Sequence, residues 1–183
     1  MKPQSAGDSM EDSTDAATSF TGDSDICQQL LHRYGNSAAP QHRHLCATAA
    51  ATRSIIQSES LPLSPLSYFA ATIDALSHTT NDVDAVSALS SFLAIVLPLV
   101  PEKCIATSKA VEAAEIVVRM VESQCEGLPV STVRALVKCL GVLMEFCGLD
   151  DWESVKLGFQ MLMKYSVDKR PKGVWASSFW KNL

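Results

Sequence analysis

The chain of 183 residues is 47% hydrophobic and 19% charged, against about 25% charged in an average soluble protein, which leaves ample apolar material for one domain plus a tail and excludes wholesale disorder. Its net charge of −5 sits in residues 1–25, where one basic side chain stands against six acidic ones; residues 26–183 carry 14 of each sign. That balance excludes a domain held to nucleic acid by phosphate neutralisation alone, which needs a basic excess.

Residues 1–23 are rich in Ser, Thr, Asp and Gly, with Phe20 as the only large ring. They bury too little to offset the entropy of ordering, so the composition predicts a disordered acidic tail. From Ser24 onward the apolar spacing is helical. Ser24 is an N-cap candidate for a helix reaching Tyr34, and Gly35 stands where a left-handed terminating residue belongs. A second helix follows Pro40, with Leu45, Ala49, Thr52 and Ile56 on one face. Ser64-Pro65 reads as a cap and first-turn pair, followed by Leu66, Phe69, Ala70, Ile73 and Leu76 at helical spacing.

Asp82 opens the next helix, with Val86, Leu89, Leu93, Val96 and Leu97 inward and a stop near Pro98 and Pro101. Ser108 to Ser123 carries Val111, Ala114, Val118 and Val121, widened by Ile116, Val117 and Met120. Pro129 starts a helix with Val133, Leu136, Val137, Leu140, Leu143, Met144 and Cys147 on its stripe, closed by Gly148. Asp150 or Asp151 caps the last long helix, where Trp152, Val155, Phe159, Leu162 and Met163 are expected inside.

Seven helices and no convincing strand make the predicted fold all-α. Helix starts near 40, 82 and 129 recur at the interval of HEAT or armadillo units. The expected architecture is a short right-handed α-solenoid of helical hairpins over residues 24–172, although a closed bundle shares the same periodicity. Residues 173–183 are expected to be a divergent tail or a partial cap. The longest apolar stretch, Phe92 to Val100, contains Pro98 and is far short of the roughly 20 residues of a membrane span. With no secretory signal, the six cysteines read as free thiols in a soluble intracellular protein.

Nucleotide-loop, nucleophile-elbow and zincin motifs are all missing from the sequence. His42, His44 and Cys46 are the one cluster of metal-ligand types. On a helix His44 points away from the other two, and a closed zinc site needs four converging ligands, so no metal or cofactor is expected. Asp150-Asp151 reads as a helix start, where the backbone dipole favours negative charge, and Cys139 and Cys147 read as core. Near the C-terminus Lys169, Arg170, Lys172, Trp175 and Lys181 are the candidate RNA or ribonucleoprotein contacts. Cations interleaved with Trp175, Phe179 and Trp180 suit phosphates and bases. The same rings at helical spacing suit a cover for the open end of the last hairpin.

Three stretches together, SDICQQLLHRYGNSAAPQHRHLCATAAA (24–51), LPLSPLSYFAATIDALS (61–77) and VDKRPKG (167–173), resemble the N-terminal region of the ribosomal-RNA-processing protein 12 family, its plant members most closely. The resemblance covers about residues 24–172 and implies a non-enzymatic HEAT/armadillo-like scaffold of nucleus and nucleolus, present also in cytoplasm. It implies roles in precursor rRNA processing and in export of pre-ribosomal subunits. Implied partners are pre-ribosomal particles or their proteins, precursor rRNA and nuclear transport factors, without a membrane or small-molecule substrate. Family members continue through further repeats, whereas GVWASSFWKNL follows Lys172 here, so the chain reads as a truncated member. The alternative function is a transport-adaptor-like solenoid that binds cargo or a Ran-type GTPase.

Overall fold

The computed structural model describes residues 20–79, 82–101, 103–124, 127–148 and 152–166. Among them the chain forms seven α-helices and no strand: α1 (Ile26–Tyr34), α2 (Pro40–Ser58), α3 (Pro65–His78), α4 (Val83–Val96), α5 (Thr107–Gln124), α6 (Val130–Phe146) and α7 (Trp152–Ser166), with a 3-10 turn at Leu97–Leu99. They pair as hairpins α1–α2, α3–α4 and α5–α6, with α7 last. Helices α2, α4 and α6 stack in one layer, and α3, α5 and α7 stack in the other. Each hairpin thus buries its apolar face against its neighbours, as a helical-repeat array does.

Local chemistry fixes the helix ends. Ser64 Oγ accepts from Ser67 N (3.2 Å) at the start of α3, with Pro65 in the first turn. Asp82 accepts from Ala85 N (2.9 Å) at the start of α4. Pro98 and its neighbours turn α4 into the 3-10 segment, because proline lacks the N–H that continues a helix. At α1 the capping residue is Asp25, which accepts from Cys27 N, and not the adjacent Ser24. Gly35 is right-handed (φ −59°, ψ −28°) rather than left-handed. A side chain there would collide with the Leu31 carbonyl, to which the Gly35 N–H is bonded. Helix α6 ends at Cys147, in extended backbone, one residue before the expected Gly148.

The predicted inner faces hold for α2, α4, α5 and α6, whose central apolar residues are buried; only Val111 and Met144 are partly exposed. Two faces are rotated. On α3 the buried residues are Tyr68, Phe69, Thr72 and Leu76, while Leu66 and Ala70 face water. The Tyr68 ring meets Phe92 of α4 edge-on, centroids 5.8 Å apart. Each fully buried side chain of this size contributes about 1.5–3 kcal/mol. On α7 the inner face is Val155, Gly158, Met161 and Tyr165; Trp152, Phe159 and Met163 are exposed by 47%, 38% and 43%. Gly158 causes the rotation by letting α7 approach α6, where an added Cβ would lie 3.1 Å from Met144 Sδ and 3.4 Å from Leu140 Cδ1.

Buried hydroxyls are satisfied within the fold. Thr72 and Ser90 each donate to the carbonyl four residues back, at 2.6 Å. Thr132 Oγ1 donates to Ser87 Oγ (2.7 Å), which pins α6 to α4. Phe20, assigned to the tail by composition, is buried, with the Arg33 guanidinium 5.2 Å from its ring centroid. The fold therefore begins ahead of the expected boundary at residue 23.

Candidate functional site

A polar clasp on three helices is the densest group of interacting charged and polar side chains. Asp25, placed at the α1 terminus by its capping role, receives the Tyr68 hydroxyl of α3 at 2.6 Å. Its other oxygen lies 2.7 Å from Arg53 Nε of α2, close enough for an ion pair but off the line of a directed hydrogen bond. Burial, followed by the bond to Asp25, raises the Tyr68 hydroxyl well above its ordinary pKa, so it stays a neutral donor. Every member thus has a partner inside the fold, and the chemistry of the group is attachment of the first hairpin to the second. Sequence patterning missed it because residues 25, 53 and 68 share no period; the only signal was a capping aspartate near an otherwise unmatched arginine.

The turn between α1 and α2 brings Ser37 Oγ to 2.8 Å from His42 Nδ1, a spacing that a nucleophile and its base would use. The hydroxyl also accepts from Ala39 N (3.3 Å), and the His42 ring stacks on Tyr34 with centroids 4.2 Å apart. Residues 26–58 contain three Arg and three His and no carboxylate, so the hairpin supplies no acid to orient the imidazole. The pair therefore reads as a pin for the turn. Along α1 an open groove of about 810 Å³ is lined by Phe20, Asp25, Gln28, Gln29 and Arg33, among others. The Gln29 amide is already used there, accepting from Thr21 N and donating to the Thr21 and Ser24 carbonyls.

The expected metal-ligand types diverge. His42 is held on Tyr34, His44 faces water, and buried Cys46 directs its thiol at the Leu30 carbonyl (3.7 Å). Among the described residues no three His, Cys, Asp or Glu side chains gather as a metal site would require. Cys27, Cys46, Cys139 and Cys147 are buried and unbridged, and Cys104 is exposed. Burial pushes the Cys139 thiol up to about 12 and raises Cys27, Cys46 and Cys147 as well, the reverse of what an activated thiolate needs. Among the described residues no helix is long and apolar enough to cross a membrane.

The candidate contacts Lys169, Arg170, Lys172, Trp175 and Lys181 lie outside the described residues, as do Asp150 and Asp151. What the structure does display just before them is the apolar stripe of α7. Trp152 and Phe159 meet edge-on at 5.7 Å, with Met163 further along the same face.

A family model described as RRP12-like, N-terminal HEAT repeats, matches residues 12–174. An RRP12-like protein of Gallus gallus is 26% identical over 178 residues, which is 93% of this chain and 14% of that protein. An RRP12-like protein of Drosophila melanogaster is 23% identical over 158 residues, 85% of this chain and 11% of that protein. The chain thus spans a small fraction of the relatives it matches. No solved structure matches it.

Proposed function

The chain belongs to the family of RRP12-like N-terminal HEAT repeats, and from that premise we propose that it is a non-enzymatic scaffold of ribosome biogenesis, presenting a stacked helical surface to pre-ribosomal particles. The observation that carries this reading is the extent of the family match, which runs through every described helix. Its relatives are RRP12-like proteins, and the proposed setting is the nucleolus and nucleus, during precursor rRNA processing and subunit export. The non-enzymatic reading rests on the use of the polar clusters: the clasp at Asp25 and the Ser37–His42 pin both serve packing.

The first partners proposed are proteins of the pre-ribosome, because the body of the chain has no basic excess with which to hold RNA by charge alone. Precursor rRNA is the second, through Lys169, Arg170, Lys172, Trp175 and Lys181. Affinity purification of the tagged full chain, with and without RNase, tests the reading. Assembly factors should be retained after RNase, and Lys169→Ala/Arg170→Ala/Lys172→Ala should lower only the RNA recovered. Sedimentation as free protein, or recovery of a Ran-type GTPase in place of assembly factors, would overturn it.

A further inference from the structure

Charge is segregated by hairpin. Residues 26–58, which make up α1, its turn and α2, hold three Arg and three His and no carboxylate. Residues 59–101, which include α3 and α4, hold four carboxylates and no Lys or Arg. In the first hairpin five of the six cationic residue types flank the turn: His32 and Arg33 end α1, and His42, Arg43 and His44 come early in α2. His32, Arg33, Arg43 and His44 are exposed, and His42 is half-buried. The carboxylate of Asp25 sits at the far end of α1, about 12 Å along the axis from Arg33. It is already engaged by Cys27 N, Tyr68 and Arg53. Asp23 precedes it, further still from the turn along the chain.

The fold does not place this cluster for its own stability. His32 and Arg33 suit the negative end of the α1 dipole, but Arg43 and His44 stand at the positive end of α2, which disfavours cations. Helix α2 has neither a side-chain cap nor an acidic residue in its first turn, whereas Asp25, Ser64 and Asp82 cap α1, α3 and α4. The turn itself is firmly built. Ser37 and His42 meet at 2.8 Å, the His42 ring stacks on Tyr34, and Arg43 donates to the Ala38 carbonyl (3.0 Å) through one of its five N–H groups. The Arg33 guanidinium lies over the rings of Phe20 and Tyr34, 5.2 and 5.8 Å from their centroids. The cations are thus ordered before any partner arrives, which lowers the entropy cost of binding.

We propose that the α1–α2 turn is a docking surface for a short acidic segment of a partner protein. Its carboxylates meet Arg43 and His44 at the start of α2, and the chain continues into the open groove along α1, where His32 and Arg33 form the near end. The extent of the patch selects a peptide over a nucleic acid. Packed helices joined by short turns run antiparallel, so α2 and α4 start at the same end of the stack, side by side. Asp82 and Asp84 of α4 are exposed there and bound the patch. A nucleic acid held by about 6–10 phosphate contacts would run onto those carboxylates, whereas a few acidic side chains are matched before reaching them. The surface is set by charge and turn geometry and does not depend on the ribosomal reading.

Fluorescence anisotropy of a short labelled oligo-glutamate peptide, titrated with the full chain, tests the proposal. The peptide should bind at low salt and be released as ionic strength rises, and an oligo-glutamine peptide of equal length should not bind. Arg43→Glu/His44→Glu changes two exposed side chains and should weaken binding about tenfold without loss of helix content by circular dichroism. Asp84→Lys enlarges the patch and should tighten binding about threefold. Undetectable binding, equal binding by Arg43→Glu/His44→Glu, or tighter binding of an oligouridylate that the same variant loses would overturn the proposal. Two other occupants would overturn it as well. Binding seen only in Asp8→Asn/Glu11→Gln/Asp12→Asn/Asp15→Asn would assign the surface to the chain's own acidic residues, and a salt-sensitive dimer in sedimentation equilibrium would assign it to a second copy.

Discussion

Replacing Asp25 by alanine removes three interactions at once, and their sizes follow from the geometry. The cap to Cys27 N is worth about 1 kcal/mol. The Tyr68 hydroxyl, on a residue with no exposed surface, loses its acceptor at 2.6 Å, which costs about 1–3 kcal/mol. Arg53 keeps 31% of its side chain exposed and can turn to water, so its share is about 0–1 kcal/mol. The total of about 3 kcal/mol corresponds to a fall in Tm of about 6–12 °C for a protein of this size. Tyr68→Phe alone should cost about 1 kcal/mol by leaving Asp25 with fewer donors. In the alanine background the same change should be neutral or stabilising, because the hydroxyl has already lost its partner. Urea unfolding of the two single variants and the double variant, followed by circular dichroism, closes the cycle. Additive losses, or an Asp25→Ala loss below about 1 kcal/mol, would refute the clasp.

Other expectations follow from burial and close contact. Phe92→Ala should cost about 3–5 kcal/mol, whereas Ile55→Ala, at a half-exposed position, should stay within about 0.5 kcal/mol; denaturant midpoints compare them. Gly158→Leu should cost about 1–3 kcal/mol by driving α7 from Met144 and Leu140, measured by the same unfolding curves. Cys139 titrates near 12 when folded against 9.0 when free, so its contribution is complete below pH 9 and is lost as the pH climbs toward 12. Cys139→Ala should therefore flatten the alkaline loss of stability in that window, read from unfolding curves at successive pH values. Thiol titration should count six groups in denaturant; in the native protein Cys104 should react ahead of Cys27, Cys46, Cys139 and Cys147, and equal rates would contradict the burial pattern.

Helices α2, α4 and α6 were legible because an apolar stripe at a constant period runs through each of their buried faces, though α4 and α6 bury further residues on either side of it. Helix α3 was not, since two of its buried residues, Tyr68 and Thr72, carry hydroxyls that patterning assigns to solvent. What hides them is a carboxylate 43 positions away and a carbonyl one turn back. Helix α7 was misread for a different reason. Its largest apolar side chains look like the core, but the face that packs is set by the smallest residue, Gly158, where backbone proximity replaces side-chain volume. On α7, size and burial separate. Four thiols, Cys27, Cys46, Cys139 and Cys147, were readable as core because each falls on or beside an apolar stripe; Cys104 is exposed. The clasp was not readable, because it is assembled from one capping residue, one mid-helix arginine and one tyrosine on three helices.

The layered packing has a mechanical consequence. Each hairpin touches chiefly the ones before and after it, so tension along the array is carried in series, and every junction bears the full load. The junctions differ in kind. Between the first two hairpins an oriented carboxylate holds a hydroxyl and a guanidinium, contacts that break over a short displacement and therefore resist force stiffly. Later junctions rest mainly on apolar side chains, which slide and yield over a longer distance. A chain pulled from its two ends would accordingly act as a graded spring, brittle at α1 and compliant toward α7.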